Sequence, residues 1–358
     1  MDLLLLFFLI MIPYGLMGSL ILLYGMKRPK IRKEYNDKHT VTVFLPTYNE
    51  EKYIEKKLQN LLTQSYPIKE ILIFDCSTDR TPQIIENYQK NFACIKLYRQ
   101  TERVGMARTI NEAFKAATGS IFIKTDCDSF TPSQDSLREL VANFSDDSVG
   151  GVTGICVGTN GLEKYFRKFM TLIQLTETNI DSTLIAHATS LLGFRRSLLQ
   201  PVRADSVADD TEEFLLIRKQ GYRTVVDPSV ISYEDVPNDF RKRRLQKDRR
   251  AQGIIKVLLE NISMFLNSKY GRFGLVVLPL ELFILILSPL FLVALGVVTS
   301  LLLYTIHPFF VLLLFALGIG LVRKSKIVSA IIDTELSGLI GTARSLLRRN
   351  DALWARVR

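Results

Sequence analysis

Hydrophobic positions fall along this chain in three rhythms. Leu3–Tyr24 and Phe273–Val322 are continuous apolar stretches, the first uncharged and the second carrying only Glu281. Between them lie short apolar runs that end abruptly in polar residues: Val41–Leu45, Glu70–Phe74, Ile95–Tyr98 and Ile121–Lys124. Brief, continuously apolar runs predict strands covered on both faces. The third rhythm is helical. Tyr53–Leu62 and Ala107–Ala117 space apolar residues as a helix face does. Thr81-Pro82 and Thr131-Pro132 each read as a cap followed by proline in the first turn, which predicts two more helices.

Strand and helix therefore alternate, the pattern of right-handed parallel units, and the fold class is α/β with an open, mainly parallel sheet. Farther on, acids at Asp209–Glu213 open an amphipathic run to Lys219, and Tyr222–Val226 returns as a strand. Pro46–Glu50, Asp75–Asp79 and Asp126–Asp128 each follow the carboxyl end of a strand. Ligands of open α/β sheets bind outside those ends. Three polar clusters on one rim predict a nucleotide site.

The two long apolar stretches change the picture from a soluble enzyme to a membrane one. Leu3–Tyr24 is long enough to cross a bilayer and is followed at once by Lys27, Arg28, Lys30, Arg32 and Lys33. Positive charge after the apolar run, and Asp2 before it, predict an uncleaved anchor with a cytoplasmic basic flank. Phe273–Val322 is about twice one crossing, with polar interruptions at Thr299–Pro308 and basic residues on both sides. A hairpin with both ends cytoplasmic follows, giving three transmembrane helices. The formal charge of +10 and pI near 9.3 belong with these membrane-adjacent clusters rather than with nucleic acid. Cys76, Cys94, Cys127 and Cys156 lack metal-type spacing and are expected as reduced thiols.

The predicted organisation is an anchor over 1–26, a basic linker over 27–39 and a cytoplasmic catalytic domain over 40–253. An interfacial helix over 254–272, a transmembrane hairpin over 273–322 and a basic tail over 323–358, with Trp354 at the interface, complete it. Within the catalytic domain, Asp126 and Asp128 lie two apart at a strand end, where alternation would turn both toward one point. Hard cations such as Mg²⁺ or Mn²⁺ take such carboxylates and complete their shell with substrate phosphates. Asp209–Glu213 admits two readings, acids suited to a helix dipole or a general base.

The ordered motifs carry a resemblance. Pro46-Thr-Tyr-Asn-Glu50, Asp75-Cys-Ser-Thr-Asp79, Ala117-Thr-Gly-Ser120 leading into Thr125-Asp-Cys-Asp128, Leu192-Gly-Phe-Arg-Arg196, Asp209-Asp-Thr-Glu212 and Gln246-Lys-Asp-Arg249 span Thr40–Gly253. The chain resembles the membrane-bound family-2 glycosyltransferases with a GT-A catalytic domain. It looks most like the branch of hyaluronan, chitin, cellulose and poly-N-acetylglucosamine synthases. The resemblance implies that Pro46, Thr47, Tyr48, Glu50, Asp75 and Asp126 bind the donor nucleotide, and that Asp126 and Asp128 bind the metal. It makes Asp210 the catalytic base, and places Gln246, Arg249 and Arg250 near acceptor and diphosphate. Arg250 departs from the family pattern, which has tryptophan there, and Met106 stands where a lysine is frequent; Arg103 or Arg108 is a substitute.

The function expected is transfer of a sugar from a nucleotide diphosphate, with UDP-sugars favoured, to a hydroxyl of a lipid-linked saccharide or growing polysaccharide. It would run with inversion at a cell membrane, with oligomerisation as one route to a secretion channel. The alternatives are a polyprenyl-phosphate monosaccharide synthase, a non-catalytic membrane scaffold that binds nucleotide sugar or lipid, and a nucleotidyltransferase.

Overall fold

The computed structural model describes residues 2–158, 161–184, 191–234 and 240–347, with the side chains of 161–162, 240–243 and 346 left aside. Trp354 and the end of the basic tail lie outside the described residues.

The amino-terminal helix α1 (Leu3–Gly25) leads to strand β1 (Val41–Thr47), α2 (Ile54–Leu62), β2 (Ile68–Asp75), α3 (Thr81–Gln89) and β3 (Ile95–Arg99). Then come α4 (Met106–Ala116), β4 (Ile121–Thr125), the short β5 (Ser129–Phe130), α5 (Ser136–Ala142) and β6 (Val149–Val157). The domain continues with α6 (Gly161–Ile180), β7 (Leu191–Arg195), α7 (Asp209–Lys219), β8 (Arg223–Glu234) and α8 (Phe240–Glu260). The carboxyl-terminal part is α9 (Phe273–Ile306), α10 (Pro308–Lys324) and α11 (Lys326–Leu346).

One eight-stranded sheet runs β3-β2-β1-β4-β7-β6-β8-β5. β1 pairs in parallel with β2 and β4, β2 with β3, and β6 with β8. β7 runs antiparallel to both β4 and β6, and β5 antiparallel to β8. The sheet is therefore mainly parallel with flanking helices, as expected.

Strand alternation splits the core in two. Val41, Val43, Leu45, Ile71, Ile73, Ile121 and Ile123 face α2, α3 and α5. Phe44, Leu72, Phe74 and Phe122 face α4 and α7. The Phe44 ring lies 5.8 Å from both Phe74 and Phe122, so Phe44→Ala would cost about 3–5 kcal/mol. Gly119 permits the tightest approach at the foot of β4: a Cβ there would sit 2.6 Å from the Thr42 nitrogen.

The helix expected from Thr131-Pro132 does not form. Thr131 instead exchanges hydrogen bonds with the Asn60 side chain, and α5 starts only after Asp135. At Thr81-Pro82 the helix begins one residue early, with Arg80 as cap. The boundary expected at 253/254 falls inside the unbroken α8, whose Ile254, Ile255, Val257 and Leu258 are buried against α9, not spread on a surface. Part of the tail is also structural. α11 packs along α8, where Asp333 accepts from Arg244 at 2.8 Å and Lys247 at 2.7 Å.

Among the described residues, α1 and α9 are long and apolar enough to cross a membrane. α10 is apolar but has 17 residues, and His307 breaks the run between α9 and α10. α1 is docked on the sheet domain: Asn179 of α6 donates to the Tyr24 and Lys27 carbonyls, each at 3.0 Å. The basic linker follows the domain surface, with Lys33 bonded to Asp227 at 2.6 Å and Glu139 at 2.8 Å.

Candidate active site

The rim above β1 and β2 is knitted from side chain to backbone. Asn49 has a left-handed backbone (φ 55°), which turns its side chain to accept from the Thr78 nitrogen at 2.8 Å. Its own nitrogen donates to Ser77 Oγ at 2.7 Å, and the Glu50 nitrogen donates to Thr81 Oγ1 at 2.8 Å. Asp75 is fully buried and accepts from Thr47 Oγ1 at 2.7 Å, from Ser77 and from Arg99. Its carboxylate is thus engaged inside the protein, so direct contact with a base would require displacing Arg99. Pro46, Tyr48 and Glu50 are half-buried on the same rim. The Arg103 guanidinium lies 4.1 Å from the Tyr48 ring centre, which brings that cation to the same rim.

Below this rim, the alternation of β4 sends successive residues to opposite faces. Lys124 follows Phe122 to the α7 face and pairs with Asp209. Thr125 follows Ile123 to the α2 face, where the fully buried Lys57 donates to Thr125 Oγ1 at 2.7 Å and to the Ser129 carbonyl at 2.6 Å. Burial lowers the Lys57 ammonium to about 8, against the pull of Cys127 and Asp126. Lys57 therefore ties down both ends of the Asp126–Asp128 turn.

The two carboxylates of that turn differ. β4 ends at Thr125, so strand alternation no longer applies: Asp126 is exposed to solvent while Asp128 is buried. Surrounding protein raises the Asp126 carboxyl above the usual range, Lys124 opposes that, and Glu234 adds to it. Asp210, at the start of α7, is raised likewise by burial and by Asp209, with Lys124 and Arg250 opposing. Asp126 and Asp210 thus share two cations, Lys124 and Arg250.

Arg250 comes from α8, where Gln246, Arg249 and Arg250 are three and four positions apart on one face. Arg250 lies 3.7 Å from Glu234, which also accepts from Arg167 at 2.6 Å. Burial opposes ionisation of Glu234, but Arg167 and Arg250 hold it below the usual carboxylate range. The structure brings Asp126, Asp128, Asp210 and Arg250 to one place and puts Pro46, Thr47, Tyr48, Glu50 and Asp75 on the adjoining rim.

Among the described residues, no group of three or more histidine, cysteine, aspartate or glutamate side chains could hold a metal by itself. The donor set is the exposed Asp126 beside the buried Asp128, hard carboxylate oxygens, with the Asp126 carboxyl raised by the surrounding protein and by Glu234. That fits a Mg²⁺ or Mn²⁺ ion whose shell is completed by substrate phosphate. The four cysteines are free thiols.

Lys57, Lys124, Glu213 and Glu234 carry weight in the cluster that the sequence reading did not give them. Lys124 had a signal, a charge at the inward end of an apolar strand. Lys57 had none, because a lysine on an amphipathic helix ordinarily faces water.

Comparison with known proteins agrees with this fold. A Pyrobaculum calidifontis mannosyltransferase, solved with GDP-mannose and Mn²⁺, superposes with a TM-score of 0.79 at 26% identity, over 96% of this chain and 99% of that one. The poly-beta-1,6-N-acetyl-D-glucosamine synthase of Staphylococcus aureus is 28% identical over 277 residues, 73% of this chain and 65% of the synthase. A dolichyl N-acetyl-alpha-D-glucosaminyl phosphate 3-beta-D-2,3-diacetamido-2,3-dideoxy-beta-D-glucuronosyltransferase of Methanococcus voltae is 38% identical over 125 residues, 32% of this chain and 38% of that protein. The chain thus spans between about two fifths and two thirds of the length of these two curated relatives. Residues 42–225 match glycosyl transferase family 2, and the chain belongs to that family of nucleotide-sugar-dependent glycosyltransferases.

Proposed function

We propose that this family-2 enzyme transfers a sugar, with inversion, from a nucleotide diphosphate to a hydroxyl of a lipid-linked saccharide or growing polysaccharide at the cytoplasmic face of a membrane. One observation carries the reading: Asp126 and Asp210, from separate elements, face the same two cations beside the nucleotide rim. The relatives that act on a dolichyl-linked sugar and a polysaccharide, and the two candidate spanning helices, support the acceptor class and the location.

In this reading Thr47, Tyr48 and Glu50 line the base and ribose pocket, whose floor Asp75 shapes through Arg99. Asp126 and Asp128 would hold a Mg²⁺ or Mn²⁺ ion, which would supply positive charge to offset that growing on the leaving diphosphate. Arg250 and Arg249 give the diphosphate and acceptor a cationic wall, where a guanidinium can donate two parallel bonds. Asp210 accepts the proton of the attacking hydroxyl as its oxygen bonds to the anomeric carbon and the bond from that carbon to the diphosphate oxygen breaks. A carboxylate so placed contributes ~10²–10⁴-fold. A phosphate acceptor has no such proton to lose, so the Asp210 position favours a hydroxyl.

The test is a panel of radiolabelled nucleotide sugars, GDP-mannose and UDP-sugars first, incubated with the detergent-solubilised protein, Mn²⁺ and lipid extract. Asp210→Asn should bind donor normally and lose transfer. A variant that keeps full transfer removes Asp210 from the base role. A panel without metal-dependent turnover on any donor sinks the reading altogether.

A further inference from the structure

The least expected residue in the fold is Lys124. It closes a strand whose other inward residues are Ile121, Phe122 and Ile123, all buried, and it is itself 8% exposed. An aliphatic side chain would fill that place without the cost of taking an ammonium out of water. What the ammonium meets is the first turn of α7. It pairs with Asp209, and Asp210 and Glu213 lie within its field. Glu213 is 2% exposed, and neither of its carboxylate oxygens is hydrogen-bonded. Two residues along the chain from Lys124 is Asp126, which also feels the same ammonium.

We propose that Lys124 is a positioning residue that joins the donor half of the site to the acceptor half, fixing the first turn of α7 so that Asp210 stands at a set distance from the metal-binding turn after β4. This rests on the reading of Asp210 as the base. Donor groups come from the loops after β1, β2 and β4, and the base comes from a helix more than eighty residues later in the chain. Nothing in the backbone hydrogen bonding of the sheet fixes α7 against β4. Phe214 and Ile217 pack α7 on Phe122 and Phe194, and the Lys124–Asp209 pair ties its first turn directly to the strand end. Arg250 from α8, Glu234 from β8 and Lys57 from α2 surround the same space, but each is bonded or paired elsewhere: Arg250 to Glu234, Glu234 to Arg167, and Lys57 to Thr125 and Ser129.

A merely stabilising pair behaves differently from a positioning one. Replacing both partners of a buried pair with neutral residues of similar volume is often neutral for stability. Lys124→Met with Asp209→Asn should therefore keep its melting temperature close to the parent. If the pair positions the base, transfer should still fall ~10–100-fold, because a misplacement of about 1 Å can cost that much. Nucleotide binding with Mn²⁺, followed by calorimetry, should stay within about twofold in Lys124→Arg, which keeps the positive charge beside Asp126. Lys124→Arg is the second variant: it keeps the charge but lengthens the link, and should also lose transfer several-fold with donor binding intact. Should the double variant fail to fold, Lys124→Arg decides alone. Full transfer in either variant, or a loss confined to donor KM, overturns the proposal. Asp210→Asn in the same assay separates the two readings: if it is active, the base assignment fails. If it is inactive while the Lys124 variants are active, only the positioning role fails.

Discussion

The two halves of the site are built on opposite electrostatic plans. Around β1 and β2 the two fully buried acids have been answered inside the protein: Asp75 by Thr47, Ser77 and Arg99, and Glu70 by Lys96, Thr42 and Thr118. Around β4 and α7 the acids outnumber their answers, and burial leaves Asp126, Asp210 and Glu213 harder to ionise than ordinary carboxyls. A satisfied network is rigid and presents shape. An under-neutralised one presents charge, and gains most from a ligand that brings cations and protons to exchange. The first half suits recognition of a nucleotide; the second suits chemistry on a diphosphate.

Breaking the second half should do the most damage to turnover. Asp210→Asn is expected to lower kcat ~10²–10⁴-fold while donor KM stays near the parent value, read by steady-state kinetics. Chelating the metal, or Asp126→Asn, should follow with a loss of about 100-fold, and titration of Mn²⁺ by paramagnetic resonance should show weaker binding in Asp126→Asn. Parent-like Mn²⁺ affinity in that variant would take Asp126 out of the metal site. The pH profile sharpens the same point. A base must be ionised to work, and the Asp210 carboxyl is raised in the folded protein. Activity should therefore fall, on acidification, at a higher pH than a solvent-exposed aspartate would dictate. An acidic limb at or below the usual aspartate range would contradict the buried cluster.

Motifs that end strands were legible because a strand end is a place: Asp75, Asp126 and the loop after β1 could be put on one rim from the pattern alone. The acids opening α7 were legible as a feature but not as a location, since no local rule says where a helix eighty residues on will dock. Lys57 and Lys124 were hidden for opposite reasons. Lys57 sits on an amphipathic helix, where the default is a solvated ammonium, and only the tertiary fold sends it beneath the turn. Lys124 looked like the polar end of a strand, whereas its side chain is buried under α7. One motif was legible for the wrong cause. Ala117-Thr-Gly-Ser120 reads as a signature of the family, but its work here is structural: Thr118 caps Glu70, and Gly119 lets its nitrogen donate to Thr42 Oγ1 at 2.8 Å. The segment after Thr131-Pro132 misled because Thr131 found a partner in Asn60 rather than in a helix turn.

Perturbing the first half should act on binding before rate. Asp75→Asn keeps the size of the side chain but weakens its bond to Arg99. Donor Kd should rise about tenfold, equal to about 1.4 kcal/mol, with kcat changed by less than threefold. A fall in kcat comparable to that of Asp210→Asn would mean that Asp75 takes part in the chemistry and that the two halves do not divide as described.

The smallest effect on turnover, and the clearest on stability, belongs to Glu70 at the foot of β2. Burial opposes its ionisation, yet Lys96, Thr42 and Thr118 together hold its carboxyl down to about 2, from an ordinary 4.5. A carboxyl depressed on folding stabilises the fold above its unfolded value, and that contribution disappears as the pH falls toward the folded one. Such a shift stabilises the fold at neutral pH, a contribution present above about 4.5 and gone near 2. Glu70→Gln should therefore melt well below the parent at pH 7, and the two melting curves should converge between pH 4.5 and 2. The glutamine retains an acceptor for Thr42 and Thr118 but not the charge on Lys96. If the gap in melting temperature persisted unchanged to the acid end, the stabilisation would lie in shape and hydrogen bonding alone, and the rigid character assigned to the nucleotide half would not depend on its ion pairs.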